Sequence, residues 1–161
     1  METEYFEHPS GYFGVYDSKG IEVGQGGDKI LADFRELIAE KRRLNLREQI
    51  HVIWYCVRAA DLRFENSQAK FIEELASEGI PILLVITQVP MRNGRIKPEV
   101  VELADSVTER RIPLSPENRV LFTMAMRDDF DGIEAHGLRE LLEVPRWLDH
   151  RVPRTAPGFS V

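Results

Sequence analysis

Two stretches of this chain are apolar with almost no alternation: Gln49 to Val57 (Gln-Ile-His-Val-Ile-Trp-Tyr-Cys-Val) and Ile82 to Thr87 (Ile-Leu-Leu-Val-Ile-Thr). Short runs rich in β-branched and aromatic residues, with no polar side to offer to water, predict strands buried on both faces. Such strands belong to parallel sheets. Parallel neighbours need a crossover, and the residues between the runs supply one. From about Glu65 to Ser77, Phe71, Ile72 and Leu75 share a helical face, and Glu78-Gly79 closes the helix ahead of Pro81. Beyond the second run, the turn signals of Pro90 to Pro98 lead into a helix around Glu99 to Arg110. A third strand is expected over Arg119 to Met124 and a final helix over Gly137 to Leu148.

Upstream, Tyr5-Phe6 and Tyr12-Phe13-Gly14-Val15-Tyr16 flank Pro9-Ser10-Gly11, a hairpin signature. Gly20, Gly24, Gly26 and Gly27 make the next stretch a loop, and Asp28 is a good helix N-cap. Ile30, Leu31, Phe34, Leu37 and Ile38 then recur at helical spacing to about Arg43. The order is hairpin, helix, strand, helix, strand, helix, strand, helix. It predicts an α/β fold, a three-layer sandwich around a mostly parallel sheet with an antiparallel edge hairpin. At 161 residues, 43% of them hydrophobic, one domain over residues 1–150 is expected, followed by a flexible tail over 151–161 that holds Pro153, Pro157 and Gly158.

A formal charge of -6 and a pI near 5.3 argue against DNA and anionic membrane surfaces as partners. The short basic clusters, Lys41-Arg42-Arg43 and Arg110-Arg111, fall at helix ends, where cations complement the dipole. Cys56 is the single cysteine and reads as core, so no internal disulfide forms. With no apolar run long enough for a membrane span and no signal-peptide pattern after Met1, the expectation is a cytoplasmic protein. His8, His51, His136 and His150 have no ligand spacing.

In sheets of this class ligands bind beyond the carboxyl ends of the strands. Three loops stand there. Val15-Tyr16-Asp17-Ser18-Lys19-Gly20 is a strand followed by Asp-x-x-Gly, in which Asp17 can hold Mg²⁺ through water and Gly20 lets a backbone N–H approach a terminal phosphate. Taken alone the pattern also reads as an ordinary turn. The other two loops are Leu84-Val85-Ile86-Thr87-Gln88 and Phe122-Thr123-Met124-Ala125-Met126.

With these residues in place, the stretch from Tyr12 to about Leu142 resembles the Era-like and Ras-like GTPases, particularly the bacterial ribosome-binding and dynamin-neighbour types. The resemblance implies a P-loop NTPase fold that uses Mg²⁺ and GTP or GDP. Asp17 and Gly20 match the Asp-x-x-Gly motif, so it makes Asp17 an outer Mg²⁺ ligand and brings Gly20 to the γ-phosphate. The run His51 to Val57, followed by Arg63-Phe64-Glu65, is similar to a core strand and the helix after it. Thr87 and Gln88 occupy the place of the guanine-reading Asn/Thr-Lys-x-Asp motif, and Ala125 lies where Ser-Ala-Lys contacts the base through backbone. Gly137-Leu138-Arg139-Glu140-Leu141-Leu142 resembles the opening of the last helix.

The sequence also departs from that pattern. Pro90 stands where an aspartate would accept hydrogen bonds from guanine, and Ile21 where a glutamine would orient water, with Glu22 beside it as a substitute. No Gly-x-x-x-x-Gly-Lys-Ser/Thr loop is present; Gly24-Gln25-Gly26-Gly27-Asp28-Lys29 has the wrong spacing. The chain is therefore expected to correspond to an incomplete G domain, starting near the family's second strand, with no catalytic residue assigned and little or no hydrolysis alone. The missing central strand leaves three expectations: the strands ending at Asp17 and Val57 pair directly, another chain inserts a strand, or the protein forms a homo-oligomer. The alternative in a different class is a degenerate G domain kept as a protein-interaction module through its 18–27 loop. A small-ligand binder of flavodoxin-like topology ranks last.

Overall fold

The computed structural model describes residues 3–7, 9, 14–18, 27–115, 119–139 and 141. These form two compact units, residues 1–50 with 65–79 and residues 51–64 with 80–161.

In the first unit, strands β1 (Thr3–Glu7) and β2 (Gly14–Ser18) form the antiparallel hairpin expected from the two aromatic runs, with Tyr5 opposite Tyr16. Their rings stack at 4.8 Å, and Lys41 Nζ lies 5.1 Å from the Tyr16 ring centre. That lysine is the last residue of helix α1 (Gly27–Lys41), whose buried face carries Leu31 and Ile38. The helix ends two residues before Arg43, so Arg42 and Arg43 continue past it rather than within it. Helix α2 (Asn66–Ala76) begins with a capping box in which Glu65 and Gln68 satisfy each other's free backbone N–H groups. Its Phe71 meets Phe34 of α1 edge to face at 6.2 Å. Arg35 adds ion pairs to Glu78 at 3.0 Å and Glu74 at 3.9 Å.

The second unit holds a three-stranded parallel sheet in the order β3 (Ile53–Arg58), β4 (Ile82–Thr87), β7 (Val120–Phe122). Strand β4 has the bounds expected from its apolar run and is central, with Ile82 to Ile86 buried on both faces. On one face Leu83 and Val85 pack with Leu121, Leu141, Val52 and Trp54. Helix α3 (Pro98–Glu109) starts on Pro98, whose missing N–H is no loss in a first turn, and buries Val100, Leu103, Ala104 and Val107.

Several expectations change. Strand β3 is not buried throughout: Tyr55 and Val57 are covered and Trp54 is half-buried, while Cys56 and Arg58 are exposed, so Cys56 is not a core residue. The reason is position, since β3 lies at the border of the three strands and an apolar run does not reveal which strand will be central. The strand also starts four residues later than Gln49, after a short 3₁₀ turn at Leu46–Glu48. Among the described residues the hairpin β1–β2 is a two-stranded sheet of its own rather than an edge of the three-stranded parallel one. Of the last helix only Leu138, Arg139 and Leu141 are described, and residues 151–161 lie outside the described set.

Between β4 and α3 a small hairpin appears, β5 (Met91–Arg92) with β6 (Arg95–Ile96). Asn93 and Gly94 form its turn at φ 52° and 70°, the positive pair that a two-residue type I′ turn requires.

Candidate functional site

The carboxyl ends of β4 and β7 are tied together by a continuous set of backbone hydrogen bonds. Thr123 N–H donates to the Ile86 carbonyl at 2.9 Å, and Val89 N–H donates to the Thr123 carbonyl at 3.0 Å. Met124 and His136 exchange N–H and C=O in both directions at 3.0 Å. The His136 ring closes the set: its Nε2 lies 2.8 Å from the Val89 carbonyl and, facing an oxygen acceptor, carries the proton. The loop after β4 is thereby fixed against the loop after β7, and both against the segment that leads to the last helix.

Thr87 and Gln88 sit where the strand ends. Thr87 Oγ1 donates to the Val57 carbonyl at 3.4 Å, linking this corner to the end of β3. Gln88 has φ 55° and an exposed side chain. A left-handed backbone at a non-glycine residue costs on the order of 1 kcal/mol and persists only where neighbouring contacts enforce it. Here the enforcing contacts are the bonds of Ile86 and Val89 on either side. Val89 is fully buried, and Pro90 is half-buried. Ala125, just past the Met124 bridge, is exposed. Three of the residues singled out in the sequence therefore fall on the two fixed loops, Thr87 and Gln88 on one and Ala125 on the other.

Asp17 belongs to the other unit. It is exposed on β2 with Glu4 directly opposite on β1, two carboxylates side by side on one face of the hairpin. One or two carboxylates with phosphate oxygens and water are what Mg²⁺ accepts, so the donor set fits that ion. Among the described residues no group of three or more His, Cys, Asp or Glu gathers into a metal cage. Gly20, Ile21 and Glu22 lie outside the described residues, as does the 19–26 stretch.

Two residues of this corner escape sequence reasoning. His136 has no partner spacing that would flag it, because its role is to donate to a main-chain carbonyl 47 positions away. Gly137, at φ 76°, has the backbone of Phe122 and Thr123 where a side chain would be: an added Cβ would lie 2.9 Å from the Phe122 carbonyl carbon and closer still to its oxygen. Only the Gly-Leu opening of the last helix hints at it. No model of a known protein family matches the chain, and no curated protein matches it.

Proposed function

We propose that this chain is the base-side part of a GTPase-like nucleotide-binding domain of P-loop NTPase type, an incomplete Ras-like G domain that hydrolyses GTP weakly or not at all by itself. The observation that carries the reading is Gln88, held in a left-handed conformation at the carboxyl end of a central parallel strand and locked to the loop after β7. Ligands of parallel α/β sheets bind at that edge, and enforced backbone strain there favours a binding role over a structural one.

In this reading Thr87 and Gln88 line one side of the base and the Ala125 backbone the other. Within the first unit, the resemblance assigns Asp17 to Mg²⁺ through water and Gly20 to the terminal phosphate. Mg²⁺ supplies charge neutralisation of the phosphates when bound. Gln88 lays its stem along the base, and Pro90 offers no acceptor to the guanine N1 and amino donors. Preference for GTP over ATP is therefore expected to be less than about tenfold.

Titration of fluorescent GTP, GDP and ATP with Mg²⁺ against about 100 µM protein tests the proposal. Saturable binding that weakens in Gln88→Ala and Thr87→Ala supports it. Absence of binding at that concentration overturns it and leaves the alternative of a degenerate G domain kept as a protein-interaction module through its 18–27 loop.

A further inference from the structure

Two hairpins leave the carboxyl edge of the parallel sheet side by side. One is β5–β6, which places Arg92 directly opposite Arg95 and is followed by Lys97. All three cations are exposed, and none reaches a carboxylate among the described residues. Like charges facing each other across a hairpin destabilise it unless a counter-charge is supplied.

The other is the turn between Asp128 and Ile133, whose backbones exchange hydrogen bonds at 3.0 and 2.8 Å. Asp128 Oδ1 accepts from the N–H groups of Phe130 and Asp131 at 3.0 and 3.2 Å, which stiffens the tip. On that stiff tip Phe130 is 98% exposed, with Met126 75% exposed nearby in sequence. The turn is acidic: Asp129 pairs with Arg127, whereas Asp131 and Glu134 have no cation among the described residues. Glu134 N–H donates to the Met91 carbonyl at 3.1 Å, so the acidic turn is joined at its base to the basic hairpin.

We propose that this face binds a second copy of the chain across a two-fold axis, the Arg92–Arg95 hairpin of each copy meeting the Phe130 turn of the other. A polyanion would meet Asp131 and Glu134, and a polycation would meet Arg92, Arg95 and Lys97. A two-fold mate presents the opposite charge at both places, since in such an interface residue i meets j and j meets i. It also covers Phe130, the kind of aromatic that anchors small interfaces. The contact is independent of nucleotide binding and of any strand added at β3.

Sedimentation velocity of the full chain at low salt is expected to show a monomer–dimer equilibrium with a Kd on the order of 10–100 µM. Arg92→Glu/Arg95→Glu and Asp131→Arg/Glu134→Arg variants are each expected to be monomeric, and their equimolar mixture to dimerise, because reversal on opposite partners restores the match. A strictly monomeric wild type at about 500 µM overturns the proposal. So does a dimer that survives both reversals, which would place the contact on another face, and so does a mixture that stays monomeric. Should a reversal variant fail to fold by circular dichroism, the wild type decides. Weakening of at least about fivefold between roughly 0.05 and 0.5 M salt, together with a tenfold loss in Phe130→Ala, supports the interface, and indifference to salt overturns it.

Discussion

Gly137 is the residue whose side-chain-free state the structure most needs. A methyl group there would strike the Phe122 carbonyl and would also hold a positive φ, two costs that act together. Gly137→Ala is expected to destabilise the second unit by about 2–4 kcal/mol, read as a lowered urea midpoint. Its neighbour His136 acts through one bond. His136→Ala leaves the buried Val89 carbonyl without that donor and should cost about 1–2 kcal/mol, while His136→Gln, which can still donate, should recover part of it. In the proposed nucleotide site the same variant would weaken binding by letting the Gln88 loop relax. Asp33 supplies a titration at this scale. The Lys29 ammonium, hydrogen-bonded to its carboxylate at 3.1 Å, holds it below the usual aspartate range. Its small contribution to α1 is therefore present above the ordinary aspartate pKa of 3.8 and fades as pH falls through the depressed folded value. A carboxyl NMR titration should place the Asp33 midpoint below 3.8, and Lys29→Ala should move it back up.

Among the elements, α2 shows local sequence and structure in agreement. Its expected span of Glu65 to Ser77 encloses the observed Asn66–Ala76, because a capping box at Glu65 and Gln68 and a left-handed Gly79 after the last turn are local devices readable from nearby residues. Glu65→Ala is expected to cost about 1 kcal/mol by exposing backbone N–H groups in the first turn, visible as faster hydrogen exchange there. The β5–β6 hairpin was less legible. Asn93-Gly94 is a strong turn signal, but strands of two residues carry too little alternation to be read, and between Pro90 and Pro98 they merge into a loop. At the candidate site, the placement of Thr87, Gln88 and Ala125 in the loops after β4 and β7 was legible because strand ends are predictable from apolar runs. The bond from His136 to Val89 was not, since it joins residues far apart in sequence.

For the whole molecule, burial predicts the order of local stability. Strand β4 has a hydrogen-bonded neighbour on each side, with Leu84 and Ile86 at 0% exposure. Its amides should be the last to exchange, and Leu84→Ala should cost about 2–5 kcal/mol. By contrast, Tyr5 and Phe6 of the two-stranded β1–β2 sheet are half exposed, and that hairpin should exchange first. Among the described residues no helix is long and apolar enough to cross a membrane. The sequence by itself determined the α/β class, the helices and the apolar strands, because periodicity, caps and turn residues act over a few positions. Only the tertiary structure decided that β3 is a border strand with Cys56 exposed, that the β1–β2 hairpin stands as its own sheet, and that Gly137 and His136 hold the strand-end loops. These depend on which distant backbone lies alongside, and a local pattern carries no record of that.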